Sequence, residues 1–555
     1  MVEPNKFYKD IREIIDHWKK FNPTRCHNLG IHDFDGLLPN YSSLAIVNRI
    51  NELKEDIVHL IALKRDYSDA YTIFEFNLVK LTLEQELYEL NVHKEYKYNP
   101  IFYFRPLSLL DQSFTIRSFA TLNSRIDIIT KFLLNIPDYL KYSKEHLVSS
   151  LPDIHLELAT LSFNSLITFL QIELPEFVNQ TTDKQLAKNC YEASKIAIDS
   201  LSDFVNDLTN NYKPLTHSNY SLGKDQFLEM LKKTEFVSIN VDSLKKLGQD
   251  DLDKNHQKLQ NILKQHDQNY LSRILNEKTS SEELFRYTNE SFSRILSFIK
   301  EKQIVDIPSH EPVKVIETPE SVRKYYFGGL NSPGPFESSN NVESYFYITP
   351  PDPTWTKEQQ QNYLKFFNNA NFELLVISQI YPGEFLKFLF EKYRTKSIIS
   401  KLFSKAPSII QGYPNYVQEM MIEENYNPWL EDSDKIKVGQ LLVSLLRNVR
   451  FMVAIGIHCF DLTFDEGKKM FVEKVFLSEE SAITETKRAI VDPMYINYTL
   501  GKLLIKKLRD DCKNEQGENF TLKDFHNELL SYGSAPITLL RQVMLKDPKL
   551  ITEIL

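Results

Sequence analysis

The sequence predicts a mainly α protein: many helices around a central cleft, with one small β element. Three observations carry this. Apolar residues recur at helical spacing over most of the chain, with Leu374, Ile377, Tyr381, Phe385, Phe388 and Leu389 as a clear run. Glycine is scarce, 15 in 555 residues, which favours long helices over a turn-rich β architecture. Proline is concentrated instead: eight fall between Val305 and Thr354, interleaved with two short strand-like pieces.

In chain order, residues 7–21 are amphipathic and stop at Asn22-Pro23, and a Gly/Pro/Asp-bearing loop follows over 28–41. Helices are expected over 43–65, 68–95, 113–134, 137–148, 152–180, 183–211, 224–233, 241–276 and 279–302, with Pro137 and Pro152 at helix starts, where proline is tolerated. VKVIE (313–317) and SYFYIT (344–349) read as a small antiparallel sheet or hairpin. Helices resume at Lys357 and run almost to the end. The organisation is a helical half 1–304, a Pro-rich loop and β element 305–356, and a helical half 357–555.

Composition narrows the function classes. A hydrophobic content of 42% and 28 tyrosines with 36 phenylalanines give a globular chain with a large aromatic payload. A net charge of −9 supplies no basic field for phosphates, so no nucleic-acid partner is expected; Lys502, Lys506 and Lys507 are followed by Asp510 and Asp511. Cys26, Cys190, Cys459 and Cys512 are far apart with no CxxC, which reads as reduced structural thiols. The opening MVEPNKFYKDIREIIDHW has no apolar leader region, and no run of about 18 apolar residues stands out; a cytoplasmic protein without a membrane partner is the expectation.

One stretch breaks the helical pattern. Residues 377–385 read ISQIYPGEF, which puts Pro382 and Gly383 inside an amphipathic run. Proline in a helix interior costs about 3 kcal/mol and glycine about 1 more. Either two helices meet there, with Pro382 starting the second, or a kink is kept for a purpose.

Several segments, in order, carry a resemblance: NPTRCHNLGIHDFDGLLPNYS (22–42), SRIDIITKFLLNIPDYL (124–140), SLGKDQFLEMLKKTE (221–235), IETPESVR (316–323) and FTLKDFHNELLSYGSAPITLL (520–540). Together they resemble the family called domain of unknown function 885, large helical proteins regarded as zinc metallopeptidase-like, over nearly the whole chain. That family's signature is HExxPGH followed by EGWAlYaE. Aligned on Tyr381-Pro382-Gly383, Ser378 and Glu384 stand at the two histidine positions and Gln379 at that of the catalytic glutamate. In IIQGYPNYVQEM, Gln411 stands for the first glutamate of EGWA.

The resemblance therefore implies a zinc site whose ligands and base were lost together. Catalytic zinc takes about three protein ligands, His nitrogen or carboxylate oxygen, with one position for water. A serine hydroxyl and a primary amide are poor substitutes, and Gln379 cannot take a proton from metal-bound water. Positions six apart lie about 120° apart around a regular helix, so two ligands at 378 and 384 need a distortion, which Pro-Gly would supply. Ser378, Glu384 and Gln411 are expected within one site's reach, with no metal among them.

Further positions match the family in part. Arg450 and His458 in RFMVAIGIHCFD resemble "R…DiGlH", with Ala454 for its aspartate. Arg488 and Tyr498 match "E..RY…Pgqa.sYkiG", with Met494, Tyr495 and Ile496 in place of Gly-Gln-Ala. Tyr381, Glu384, Arg450, His458, Arg488, Tyr498 and His526 are the candidate cleft residues; Tyr498 is either an oxyanion donor or a hydrogen-bonded core tyrosine, and His526 reads as a packing histidine. Three functions fit: a catalytically inactive metallopeptidase-like protein that binds a peptide or protein in its cleft; a hydrolase with a non-standard or metal-independent site; and a structural protein acting through its surface. No cofactor is expected.

Overall fold

Helices form where apolar periodicity meets a capping side chain. Ser42 accepts from the Ala45 N–H at 3.3 Å to open Ser43–Leu63, Asp69 does the same for Ala70–Tyr88, and Ser280/Glu283 and Thr463/Glu466 make reciprocal capping boxes. The computed structural model describes residues 5–215, 221–277, 280–319, 323, 328–338, 342–364 and 368–554. Residues 320–322 of the IETPESVR stretch lie outside the described residues.

The protein is mainly α with a small β element. Numbering helices of eight residues or more, the first part holds α1 (Arg12–Phe21), α2 (Ser43–Leu63), α3 (Ala70–Tyr88), α4 (Leu122–His146), α5 (Asp153–Val178), α6 (Lys184–Asn210), α7 (Lys224–Glu235), α8 (Val241–Leu263) and α9 (Ser281–Glu301). After the β segment come α10 (Lys357–Leu364), α11 (Asn369–Gln379), α12 (Glu384–Tyr393), α13 (Pro407–Glu423) and α14 (Ser433–Cys459). The chain closes with α15 (Phe464–Val475), α16 (Glu479–Val491), α17 (Asn497–Gln516), α18 (Leu522–Ser531) and α19 (Ile537–Met544).

Three expectations are corrected. The segments 113–134 and 137–148 are one helix, α4, which starts at Leu122 and runs through Pro137. Its buried face of Phe132, Leu133, Ile136, Tyr139 and Leu140 continues across the proline, so packing outweighs the single lost backbone bond. The expected helix 241–276 is broken after Leu263, and a short helix, Tyr270–Leu275, follows. The β element is mixed rather than antiparallel. Two short strands, β1 (Ser150–Pro152) and β2 (Lys213–Leu215), pair in parallel. β3 (Val313–Glu317), β4 (Gly328–Asn331) and β5 (Ser344–Ile348) form a sheet of order β3-β5-β4, with β3 parallel and β4 antiparallel to β5.

Two apolar cores hold these elements. The smaller is built from α4, α5, α6 and the turns before them, around Phe132, Phe163, Phe169 and Phe204. The larger takes side chains from Phe7 to Leu545, on both sides of the β segment, and α14 runs through it. By length and composition α14 could cross a membrane, which the sequence reading did not single out; most of its apolar window is buried inside the protein as a core helix. α13 and α17 cross at bare backbone: a Cβ on Gly501 would meet the Ser408 carbonyl oxygen at 1.9 Å, and one on Gly412 would meet the Gly501 Cα at 2.5 Å.

That crossing has no room for a methyl group. Gly501→Ala is expected to destabilise the protein by about 1–3 kcal/mol or more, because two helices must separate to admit it. Urea unfolding measures this, and the control Ala482→Gly on α16 should cost only about 1 kcal/mol.

Candidate functional site

The site is built at the junction of α11 and α12. Asn368 caps α11 by accepting from the Asn371 N–H at 3.0 Å. The helix is pinned from within by Glu373, a fully buried carboxylate that accepts from Ser291 at 2.6 Å, from Arg294 at 3.0 Å and from Tyr426. Gln418 on α13 donates to the Leu374 carbonyl at 2.7 Å. α11 ends at Gln379, and Ile380 leaves helical geometry.

ISQIYPGEF is therefore a junction of two helices, not one kinked helix. Gly383 sits directly on the end of α11: a Cβ there would meet the Ser378 carbonyl oxygen at 1.9 Å. α12 starts at Glu384, and the Leu386 N–H reaches back to the Ile380 carbonyl at 3.1 Å. Tyr381 is buried, its ring edge-on to Phe385 at 5.5 Å, and burial pushes its hydroxyl up to about 12. Proline fits this break because the preceding helix has already ended.

The four motif positions have separate fates. The buried Ser378 hydroxyl turns back and donates to the Leu375 carbonyl at 3.0 Å. The Gln379 carbonyl oxygen accepts from the backbone N–H of Leu330 on β4 at 3.0 Å, and its side chain lies beside the Glu384 carboxylate, where it favours the ionised form. Burial raises the Glu384 carboxyl above the ordinary range, against the opposing pull of Lys387, Gln379 and Arg447. Gln411, on α13, keeps a buried side-chain oxygen without a hydrogen-bond partner. Gln379 and Glu384 are thus brought together; among the described residues no hydrogen bond or ion pair joins Ser378 or Gln411 to them.

A cation already acts on Glu384. Arg447 of α14 donates to Asn415 at 2.9 Å and to Gln418, and it lies within electrostatic reach of Glu384 and Tyr498. Burial, with Arg450 beside it, pulls the guanidinium down to about 9. One carboxylate, one hydroxyl spent on its own helix and two amides do not fit a catalytic zinc, and Arg447 makes a second cation there less favourable still.

The other expected cleft residues are tied up structurally. Arg450 makes two 2.7 Å bonds to Glu485, which lowers that carboxylate against its burial, and its guanidinium lies 5.4 Å from the Tyr498 ring centroid. Arg488 lies 5.2 Å from the Tyr495 ring, whose hydroxyl donates to Glu485 at 2.6 Å. His458 donates from Nε2 to the Ala489 carbonyl at 3.0 Å and lines a cavity of about 460 Å³ beside His155, Asp492 and Met494. None of the other six expected cleft residues lines that cavity. His526 is buried, donates from Nδ1 to the Ile304 carbonyl at 2.8 Å and accepts at Nε2 from the Tyr416 hydroxyl at 2.9 Å.

Sequence reasoning missed two groups. Arg447, Asn415 and Gln418 reach the junction from α13 and α14, with no local signal. His27, His32 and Asp35 lie in the quoted 22–42 stretch but were not read as a cluster; their chain spacing was the one available sign. Asp35 bridges both rings, at 2.7 Å to His27 Nδ1 and 2.8 Å to His32 Nδ1.

Two predictions follow from this geometry. Burial pulls the His526 imidazole down to about 4 in the folded state, below its ordinary value near 6.5. The unfolded chain then binds the extra proton first, so this residue's contribution is complete above about pH 6.5 and is lost as pH falls toward 4. His526→Gln should flatten the pH dependence of unfolding free energy in that window. Gln379→Glu would set two carboxylates together and raise their folded pKa values. Its destabilisation, about 1–3 kcal/mol, should therefore be smallest near pH 4 and grow as pH rises to 7, as read by urea unfolding at each pH.

Comparison with known proteins now adds the lineage. The profile of the family "Bacterial protein of unknown function (DUF885)" matches residues 23–544. No curated protein matches the chain. Among solved structures, a candidate lipoprotein of unknown function from Shewanella oneidensis superposes with a TM-score of 0.78 at 20% identity, covering 98% of this chain and 100% of that one. A candidate lipoprotein from Colwellia psychrerythraea gives 0.79 at 16% identity, covering 97% and 98%. At such identities the two show a shared fold, and the profile match over most of the length shows that the chain belongs to the DUF885 family.

Proposed function

We propose that the protein is a catalytically inactive, metallopeptidase-like scaffold that binds a peptide or protein segment in its cleft. Gln379 carries the reading. At the position where the resemblance implies a general base stands a neutral amide, which cannot take a proton from water; its oxygen is engaged by the Leu330 N–H, and the side chain lies beside Glu384. The residue therefore ties the end of α11 to the sheet edge instead of holding a proton for transfer. Arg447 supports the same reading, because a fixed guanidinium supplies positive charge beside the one remaining carboxylate.

The alternative of a hydrolase built from Glu384, His458, His526 and Tyr498 gains no support from the hydrogen-bonding, since both histidines are bonded to backbone carbonyls. A closed, purely structural protein differs from the proposed binder in one respect: it would retain no peptide.

The proposed setting is cytoplasmic, in keeping with four buried, unpaired cysteines. The two structural neighbours are described as candidate lipoproteins; the same attachment here would place the chain in a membrane fraction, and fractionation of cells making the full-length protein separates the two locations. With a net charge of −9, no nucleic-acid partner is proposed.

Purified full-length protein, offered a panel of peptides and esters with and without chelator, is expected to bind peptide without turnover. Chelator-sensitive cleavage that disappears in Glu384→Gln would overturn the reading. Combining Ser378→His, Gln379→Glu, Glu384→His and Gln411→Glu should add one equivalent of bound zinc over the parent protein.

A further inference from the structure

The second cluster of chemistry-bearing side chains lies in the segment between α1 and α2, on residues other than those of the helix junction. His27, His32 and Asp35 each offer one ligand atom, a ring nitrogen or a carboxylate oxygen, and the three atoms lie within 4.8 Å of one another. The His27 side chain is 3% exposed and the Asp35 side chain 4%, while His32, at 31%, leaves a path from solvent. Both rings turn the same nitrogen, Nδ1, to the same carboxylate.

The far side of each ring is braced. His27 Nε2 lies 2.7 Å from the Ser113 hydroxyl, and His32 Nε2 lies 2.9 Å from the Glu337 carboxylate. Imidazoles that ligate a metal donate their other N–H to a carboxylate, hydroxyl or carbonyl, which fixes the tautomer and strengthens the ligand. Here each Nε2 has such a partner and each Nδ1 points to the shared centre. Ser113 is 1% exposed, so its hydroxyl serves as a brace on His27 and not as a nucleophile.

We infer that His27, His32 and Asp35 form a binding site for one divalent transition-metal ion, with Zn(II) the best match to a two-imidazole, one-carboxylate set. Bonds of 2.0–2.1 Å to a tetrahedral ion place ligand atoms about 3.3 Å apart, so the present 2.7 and 2.8 Å separations need to open by roughly 0.5 Å. Three protein ligands leave a fourth position for water or a small anion. A cavity of about 280 Å³ is lined by Ser113, the partner of His27 Nε2, together with Arg117, Asn331 and Tyr347. The surrounding charges are Arg117, which acts on His27, and Glu337, which acts on His32.

The other grouping of this kind, His17, Glu52 and Asp56, does not compete. Its carboxylates already face a guanidinium, with Arg49 2.5 Å from Glu52 and 3.7 Å from Asp56. An ion at the first site would clasp three distant pieces of chain: the 27–35 segment, the helical turn Leu110–Phe114 that carries Ser113, and the segment at Glu337. None of these residues belongs to the α11–α12 junction, so failure here leaves the proposed function standing, and the reverse.

Full-length protein stripped with EDTA and titrated with Zn(II) against a chromophoric indicator tests the site. One equivalent should bind. Asp35→Asn and His32→Asn should weaken it at least 100-fold. Glu337→Gln, which keeps every ligand, should weaken it 10–100-fold, and His17→Asn should leave it unchanged. Loading with Co(II) should give visible ligand-field absorption that Asp35→Asn abolishes. Circular dichroism of each metal-free variant reports folding; if His32→Asn misfolds, Glu337→Gln decides. Absence of zinc uptake by the parent, or parent affinity in both Asp35→Asn and Glu337→Gln, overturns the inference.

Discussion

The amide of Gln379 is the contact around which the centre of this protein is organised. It ties the last turn of α11 to the edge strand β4 through one side chain, beside the first residue of α12. A backbone N–H such as that of Leu330 costs about 1–3 kcal/mol if buried without a partner, more than a typical hydrogen bond contributes in net terms. The clamp is thus held as much by the cost of its absence as by its own strength. Any group that fills it must present an acceptor to that N–H.

Backbone and charge are arranged around that clamp. Gly383 lets α12 start in contact with the end of α11, where any side chain would collide with the Ser378 carbonyl. Arg447, held by Asn415 and Gln418, acts on the Glu384 carboxylate from α14, so the junction carries its own cation. Gln418 closes the circuit by bonding the Leu374 carbonyl on α11. Each element at the junction is positioned by a neutral or charge-assisted hydrogen bond within the protein itself.

Much of the fold was legible, because period and composition are local. Scarce glycine and the 3.6-residue recurrence identified a helical protein, and the proline-rich stretch located the sheet. Proline was over-read as a helix boundary at Pro137, where a continuous buried face carries the helix through. Strand direction was illegible: β3 and β5 are separated by the whole β4 excursion, and nothing in VKVIE or SYFYIT states whether they run parallel. At the site, residues 378–384 were legible because they are contiguous and match a family pattern. Arg447, Glu337 and Ser113 were not, since tertiary folding alone brings them to their partners. The choice between kink and break was likewise undecidable until the close approach of Gly383 to the end of α11 was seen.

Amide hydrogen exchange at Leu330 tests the clamp most directly. The account predicts strong protection of that single N–H in the native protein, unchanged by added zinc, and its loss in Gln379→Ala while neighbouring β5 amides stay protected. Rapid exchange at Leu330 in the native protein, or protection that survives removal of the Gln379 side chain, would contradict it.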